Sequence, residues 1–200
     1  MIESLKKLFT SIMSFRNREN ECVTTVDGRK FWISRSAAVV GVIAIDGKVL
    51  MVKRGDGCPD EVGKWVLPCG YVDWDENLKE AIWREVKEET GINLINVRDY
   101  AMTNGIVFGL DSFDGEEGDP VFVRSNPNRD KKQNISMYMV LELYAEQGKE
   151  AMPLPEPDLT QVNPKETADA KWFDSDELCD MDEKGLIGFN HFEYVQRIIG

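Results

Sequence analysis

Short apolar runs rich in β-branched residues alternate along the chain with segments of turn residues. SAAVVGVIAI (36–45) is followed by KVLMVKR (48–54), and Asp46-Gly47 between them is a strong hairpin signal. The other predicted strands are WVLPCG (65–70), INLINVRDYAMTN (92–104), ISMYMVLELYAE (135–146) and DAKWFD (169–174). Loops rich in Gly, Asp, Asn or Pro are predicted over 55–64, 109–133 and 152–168.

A helical spacing of apolar residues replaces this pattern in residues 76–90, and Gly91 is a suitable residue to end that helix. Two signals compete for its start. One is Asp75 as an N-cap, and the other is the capping box Asn77-x-x-Glu80.

Helices are also predicted at both ends of the chain. SDEL (175–178) opens one with Ser175 as its cap, and residues 189–199 form a closing helix. In residues 1–20, Lys6 and Lys7 interrupt an apolar stripe too early for a signal-peptide core. That segment predicts an amphipathic helix that docks on the domain or on a second subunit of a homodimer, with membrane-surface binding as an alternative. Its apolar positions are Ile2, Leu5, Leu8, Phe9, Ile12 and Met13.

Strands therefore outnumber helices, and a hairpin comes early. This order predicts an α/β sandwich with a mixed sheet and helices on its faces, rather than a doubly wound parallel sheet. The sequence shows no internal repeat and no linker to a second domain. We expect residues 1–34 to be an N-terminal helix and lead-in segment, and residues 35–200 to form one domain.

The composition narrows the possible partners. The net charge is −12, which disfavours binding to a polyanion such as duplex nucleic acid. No apolar run reaches the roughly 18 residues that a membrane span needs. The four cysteines match no zinc spacing, and reduced thiols in a cytoplasmic protein are the expectation. A small anionic substrate remains possible where a metal or a local basic patch screens the charge.

The helix over 76–90 changes character along its length. At about 100° per residue, its apolar stripe in the first two turns becomes acidic in the last turn. The apolar positions are Leu78, Ala81, Ile82 and Val86, and the acidic ones are Glu85, Glu88 and Glu89. The solvent-facing positions of the wheel belong to Glu80, Arg84 and Lys87.

Three carboxylates within one turn repel one another, and the helix dipole disfavours them near a C-terminus. Carboxylates that project toward the interior also lose hydration. A divalent cation removes all three costs, because hard oxygen ligands on one face suit Mg²⁺ or Mn²⁺. The pattern therefore predicts a metal site at the end of this helix.

These residues resemble the Nudix box, G-x5-E-x7-R-E-U-x-E-E-x-G-U, in which U is aliphatic. The matching positions are Gly70, Glu76, Arg84, Glu85, Val86, Glu88, Glu89, Gly91 and Ile92. The resemblance implies a Nudix α/β/α sandwich and a pyrophosphohydrolase that needs Mg²⁺ or Mn²⁺. The implied substrate is a small nucleotide, such as an ADP-ribose-like compound, a nucleotide sugar or a nucleoside triphosphate.

The resemblance also implies roles for single residues. Glu85, Glu88 and Glu89 match metal-binding and catalytic carboxylates. Glu76 and Arg84 match a salt bridge that braces the box, together with Gly70 and Gly91 at its ends. Cys69 departs from the family's usual glycine; its carbonyl could still bind the metal, but a positive φ there would be strained.

A further carboxylate from outside the box is expected, and Glu166, six residues before Trp172, is the choice. An exposed loop acid without a role is the alternative, and the acids of the loop over 109–133 compete. The base that activates water is placed on Glu85 or Glu88, with Glu166 third. Arg35 and Arg54 lie near the hairpin and are candidate phosphate ligands, although a solvated strand end would explain them as well.

Two rival functions share this fold. One is a ligand-sensing or regulatory module without hydrolysis, against which the complete set of box carboxylates argues. The other is a diphosphate isomerase, which needs a catalytic cysteine and for which Cys69 is the candidate.

Overall fold

The computed structural model describes residues 21–125 and 134–200. The chain divides into two compact units, Met1–Arg35 and Ser36–Gly200. In the first unit, β1 (Glu21–Thr24) and β2 (Lys30–Ile33) form an antiparallel hairpin, with Gly28 at a φ of 84° in the turn. The sequence did not predict this hairpin. The amphipathic helix predicted for residues 1–20 lies outside the described residues.

The second unit is built on an eight-stranded mixed sheet with the order β10-β4-β3-β9-β7. Three short strands pair beside this path, β5 with β4, β6 with β3 and β8 with β9. The central β3 and β9 are parallel, and every other pair is antiparallel. The strands are β3 (Ala37–Ile45), β4 (Lys48–Arg54), β5 (Trp65–Val66), β6 (Cys69–Tyr71), β7 (Val107–Asp111), β8 (Phe122–Arg124), β9 (Ile135–Tyr144) and β10 (Thr167–Phe173).

The predicted hairpin of β3 and β4 forms, but its strands stay paired over only two positions. Asp46 and Gly47 turn the chain with positive φ angles, as this dipeptide readily does. Ala44 and Ile45 then pair with β4, after which the two strands separate. β5 joins the freed part of β4, and β6 joins the freed part of β3. This separation brings β6, where the box begins, into the middle of the sheet.

Helices cover both faces of the sheet, as the α/β/α prediction requires. α1 (Leu78–Thr90) and α2 (Leu94–Asn104) pack on one face, and α4 (His191–Ile199) packs on the other after the short α3 (Ser175–Glu183). A 3₁₀ turn spans Leu159–Gln161. None of the described helices is long and apolar enough to cross a membrane.

α1 approaches the sheet closely. A Cβ on Gly41 of β3 would lie 2.9 Å from Cδ1 of Ile82, so a larger residue there would push the Ile82 side chain away from the sheet. The helix begins after Asn77, whose side chain accepts from the Glu80 amide while the Glu80 carboxylate accepts from the Asn77 amide. It ends at Gly91 with a φ of 75°. Of the two predicted starts, the capping box is the one used.

The structure corrects three predictions of secondary structure. Residues 92–104, predicted as a strand, hold α2, which Asn93 caps at its start and Gly105 at its end. The buried Leu94, Val97 and Ala101 have helical spacing, and this outweighs the β-branched residues. The predicted loop over 109–133 contains the end of β7 and all of β8. Asp174, not Ser175, caps α3, because its carboxylate accepts from the Glu177 amide.

Candidate active site

Arg84 and Glu76 brace the loop that leads into α1. Nη2 of Arg84 lies 2.7 Å from Oε1 of Glu76, and Nε donates to Oε2 at 3.0 Å. Nη2 also donates to the carbonyl of Tyr71 at 2.9 Å, and the amide of Asp73 donates to Glu76. The hydrogen bond from Arg84 is the main reason that the pKa of Glu76 is lowered. One guanidinium thus ties together β6, the loop and the helix.

The same guanidinium reaches two of the acidic residues of α1. Nη1 of Arg84 lies 2.7 Å from Oε1 of Glu85 and 3.1 Å from Oε2 of Glu88. The side chain of Arg84 is only 26% exposed, so its predicted place on the solvent face of the helix was wrong. It folds back instead, because three oxygen acceptors lie on the side of β6 and the loop, namely the carbonyl of Tyr71 and the two carboxylate oxygens of Glu76.

Glu85 and Glu89 both project toward the backbone of β6. A Cβ on Gly70 would collide with the carboxylate of Glu85, so glycine lets this carboxylate keep its position against β6. The amide of Cys69 donates to Oε2 of Glu89 at 3.0 Å. Two carboxylates from successive turns of α1 therefore meet two neighbouring residues of one strand.

Burial makes this pair of carboxylates electrostatically costly. The pKa of Glu85 is raised, chiefly because the carboxyl group is buried. Burial, followed by the negative charge of Glu85, raises the pKa of Glu89 to about 8. Both shifts mean that loss of hydration and the neighbouring negative charges outweigh the nearby arginines in disfavouring the ionised carboxylates. The donor set, two carboxylates beside a strand backbone, fits a hard divalent cation.

Glu88, by contrast, is 58% exposed and bonded to Arg84 rather than turned to β6. Within residues 21–125 and 134–200, no three His, Cys, Asp or Glu side chains already share one metal-ligand geometry. The predicted triad of carboxylates thus divides into a buried pair and one exposed member.

Cys69 lies in the extended strand β6 and has no positive φ, so the strain considered for this position does not arise. Its side chain packs against the apolar cluster on the other face of the sheet, which includes Tyr138 and Leu178. Burial raises the pKa of the Cys69 thiol, and the charge of Glu89 adds to this. The group is therefore a thiol rather than a thiolate, which disfavours a role as a nucleophile or base.

Glu166 lies in the loop just before β10 and is exposed. Its negative charge is among the causes that raise the pKa of Glu89, so the fold brings it toward the buried pair. Nδ2 of Asn163 donates to Oε1 of Glu166 at 2.9 Å. The carbonyl of Glu166 accepts from the amide of Gly55 at 2.8 Å. Sequence reasoning missed Asn163, although an asparagine three residues before an acid in a loop is a recognisable turn signal.

The two candidate phosphate ligands lie in different environments. Arg54 is bonded through Nη2 to Oδ1 of Asp60 at 2.9 Å and through Nε to the Asp60 carbonyl. Its guanidinium also lies 5.1 Å from the ring centroid of Phe189. Arg54 therefore has partners within the fold, and its charge acts on Glu89 from there. Arg35 is half-buried and ends the first unit, outside the unit that holds the box.

Comparison with known proteins adds to this geometry. A profile described as NUDIX domain matches residues 34–196. The ADP-ribose pyrophosphatase of Methanocaldococcus jannaschii is 33% identical over 88 residues, which are 43% of this chain and 51% of that protein. The chain spans about half or less of the length of the curated relatives it matches.

Two solved structures share the fold. One is a bifunctional NMN adenylyltransferase/ADP ribose pyrophosphatase from Francisella tularensis, complexed with AMP and a Mn ion. It has a TM-score of 0.60 and 17% identity over 99% of this chain and 45% of that one. The other is a NUDIX hydrolase from Nitrosomonas europaea, with a TM-score of 0.54 and 17% identity over 92% of this chain and 87% of that one.

Proposed function

Since the chain belongs to the NUDIX domain family, we propose that it is a metal-dependent hydrolase of a nucleoside diphosphate linked to another moiety. The observation that carries the proposal is the convergence of Glu85 and Glu89 on Cys69 and Gly70 of β6. A ligand-free structural role does not account for two buried carboxylates whose pKa values are both raised.

The residues that would hold Mg²⁺ or Mn²⁺ are Glu85, Glu89, the carbonyl of Cys69 and the exposed Glu88. When bound, the ion supplies charge neutralisation of the phosphates and a lowered pKa of water. Arg84 orders this set, because it holds Glu85 and Glu88 from one side while Glu76 fixes the guanidinium. Cys69 and Gly70 set how deeply the carboxylates reach.

The chemistry is attack of water on phosphorus. A phosphorus–oxygen bond to water forms, the bond to the bridging oxygen breaks, and one proton of the water passes to a carboxylate. We assign this proton to Glu166. Glu166 is exposed and accepts a side-chain hydrogen bond from the neutral Asn163, whereas Glu88 is engaged by the cation of Arg84. Glu85 is buried against Gly70, which leaves less room for water.

The substrate is a nucleotide whose diphosphate links two groups. We place ADP-ribose first, because the M. jannaschii relative is named an ADP-ribose pyrophosphatase. A nucleotide sugar and a nucleoside triphosphate contain the same kind of phosphoanhydride bond, and we place them after ADP-ribose as candidate substrates.

A substrate panel tests this proposal. ADP-ribose, UDP-glucose, CTP and a dinucleoside polyphosphate are incubated with protein and Mg²⁺, and phosphate is measured with and without added phosphatase. We expect at least one compound to yield phosphate only after phosphatase acts on the phosphomonoester products. Glu89→Gln is the matched variant and should lose this turnover. Binding of a nucleotide without turnover in Mg²⁺ or Mn²⁺ would instead identify a sensing module.

A further inference from the structure

The loop that follows β4 packs against the turn that presents Glu166. The amide of Gly55 donates to the main-chain carbonyl of Glu166 at 2.8 Å, and Sγ of Cys58 donates to the same carbonyl at 3.2 Å. The amide of Gly57 donates to the neighbouring carbonyl of Lys165 at 2.8 Å. A carbonyl oxygen has two lone pairs, so the two donors from the loop use the full capacity of the Glu166 carbonyl.

The contact between the loop and the turn is too close for side chains at two positions of the loop. A Cβ on Gly55 would lie 2.5 Å from the carbonyl oxygen of Lys165 and 2.6 Å from that of Pro164. A Cβ on Gly57 would lie 2.8 Å from Cβ of Lys165. Neither glycine has a positive φ, so the constraint is space rather than backbone conformation. Because main-chain atoms cannot rotate away, a larger residue at position 55 would displace the turn itself.

The loop after β4 is held in shape by its own contacts. Nε of Arg54 donates to the carbonyl of Asp60, Nη2 of Arg54 binds the carboxylate of Asp60, and the amide of Gly63 donates to the carbonyl of Arg54. Arg54 also pairs in register with Thr167, the buried residue that follows Glu166 at the start of β10. The loop is therefore an ordered support for the turn.

Glu166 needs such a support because its side chain is exposed. An exposed glutamate on a turn is less precisely placed than a buried residue of a helix or strand. Asn163 binds the carboxylate at 2.9 Å, but Asn163 belongs to the same turn and moves with it. The charge of Glu166 acts on Glu89, so the position of the turn sets the distance from the carboxylate to the buried pair.

We propose that Gly55 and Cys58 are positioning residues that hold the main-chain carbonyl of Glu166 and thereby place its carboxylate for proton transfer from water. This inference rests on the proposed function, in which Glu166 accepts that proton. The two donors fix the plane of the peptide group after Glu166, and this plane restricts the direction in which the side chain leaves the backbone. Neither residue is among the proposed metal ligands, so both should act through Glu166.

Substitutions of Cys58 test the inference with a small change in volume. Cys58→Ala removes a donor to the Glu166 carbonyl, whereas Cys58→Ser keeps one. We expect Cys58→Ala to lower kcat by roughly threefold to tenfold, the usual effect of one hydrogen bond, with KM unchanged. Cys58→Ser should recover most of this loss. Cys179→Ala, at an exposed cysteine of α3, is the matched control and should keep the wild-type kcat.

Gly55→Ala is the stronger test, because its Cβ would push against the carbonyl of Lys165. We expect kcat to fall by about 10²-fold, the effect of misplacing a catalytic group by about 1 Å. In a protein that already carries Glu166→Gln, neither Gly55→Ala nor Cys58→Ala should lower kcat further, since the group that they position is gone. A purely structural role would instead give the same losses in both backgrounds.

Hydrogen exchange of the loop amides gives a measurement that does not depend on turnover. The exchange rates of the Gly55 and Gly57 amides are measured by NMR in the metal-free protein. In Cys58→Ala, both amides should exchange about tenfold faster than in the wild type, because the contact with the turn opens more often. Cys58→Ser should restore the wild-type rates, and thermal unfolding shows whether each variant is folded.

The inference is overturned if Cys58→Ala and Gly55→Ala keep the wild-type kcat, if Cys58→Ser loses as much as Cys58→Ala, or if the losses persist in full beside Glu166→Gln. If Gly55→Ala does not fold, the Cys58 variants carry the test.

These outcomes separate from those of the substrate panel. Turnover that is lost in Glu166→Gln but kept in Cys58→Ala and Gly55→Ala contradicts only the inference. Absence of turnover with every nucleotide contradicts the proposed function. In that case, faster exchange in Cys58→Ala still supports the hold of the loop on the turn, and unchanged exchange overturns it.

Discussion

Gly70 lies so close to the carboxylate of Glu85 that any side chain at this position of β6 would displace that carboxylate. Its φ is not in the left-handed region, so the requirement is steric rather than conformational. The strand thereby acts as a stop that fixes how far Glu85 reaches. The neighbouring amide of Cys69 does the same for Glu89 through a hydrogen bond of 3.0 Å.

Gly70→Ala should therefore displace Glu85. We expect kcat/KM to fall by about two orders of magnitude or more, since misplacing a catalytic group by about 1 Å has this effect. Unfolding free energy should fall by about 1–3 kcal/mol because the added methyl overpacks the contact. Gly115→Ala is the control, since a Cβ there meets Asp119 at an ordinary 3.5 Å and the φ is not positive. Equal effects of both substitutions would contradict the assigned role of Gly70.

The Glu76–Arg84 pair should show strong coupling in a double-mutant cycle. Its side chains are 14% and 26% exposed, so removal of one partner leaves a poorly hydrated charge behind. We expect Glu76→Gln and Arg84→Ala together to cost at least about 1 kcal/mol less than the sum of the single changes in urea unfolding. Arg84→Ala alone should be the more damaging to kcat, because it also releases Glu85 and Glu88. Additive losses would show that the two side chains do not act together.

The ends of α1, the helix that carries the box, show which sequence signals are sufficient to predict where a helix begins. Its start could be predicted as one of two sites, and the structure uses Asn77 because Glu80 returns the hydrogen bond. Asp75 instead adopts a φ of 65° in the preceding loop. For α2, the sequence contains both helix-end signals, the cap Asn93 and the terminal Gly105, together with β-branched residues that favour a strand. The signals for the helix are therefore present in the sequence, beside others that favour a strand.

The site was less predictable than the helix that carries it. A helical wheel places Arg84 in solvent, because it contains no information on the carbonyl of Tyr71 or on Glu76 in the loop. The pairing of Arg54 with Asp60 depends likewise on how the loop over 55–64 folds. Such contacts join segments through backbone geometry, which periodicity and composition do not specify.

Divalent metal should change stability as well as activity. EDTA should abolish turnover and Mg²⁺ or Mn²⁺ should restore it, and each ion should raise Tm because it binds only the folded protein. Glu89→Gln should raise Tm in EDTA, since it removes a buried carboxylate beside Glu85. The same substitution should reduce the rise in Tm on adding metal. A full rise in Tm in Glu89→Gln, or full turnover in EDTA, would remove Glu89 from the metal site.

Asn163→Ala should reduce kcat through Glu166 while leaving metal binding unchanged. Asn163 holds Oε1 of Glu166 at 2.9 Å, whereas the proposed metal ligands lie on α1 and β6. We expect kcat to fall by about tenfold, which is a smaller loss than removal of the general base itself would cause. The metal-induced rise in Tm is the second measurement, and it should match that of the wild type. The loss of kcat in Glu166→Gln sets the upper limit for the loss in Asn163→Ala. If Asn163→Ala lowers kcat further in a protein that already carries Glu166→Gln, Asn163 acts by another route.

His191 should make the protein sensitive to acid. Its Nδ1 accepts a hydrogen bond of 2.9 Å from the amide of Leu67, and the side chain is buried. Burial, with the charges of Arg124 and Arg54 adding to it, lowers the pKa of His191 from 6.5 to about 3. Between these two pKa values, the unfolded chain binds a proton at His191 that the folded protein does not bind. The contribution of His191 to the unfolding free energy is therefore complete above about pH 6.5 and is lost as the pH falls toward 3. The unfolding free energy should therefore change by up to about 1.4 kcal/mol per pH unit.

The variant His191→Asn tests this, because its side-chain oxygen can accept the hydrogen bond from the Leu67 amide without titrating. The difference in unfolding free energy between the wild type and His191→Asn should shrink steadily from pH 6.5 to 4.5. Parallel curves over this interval would mean that His191 carries a proton in the folded state.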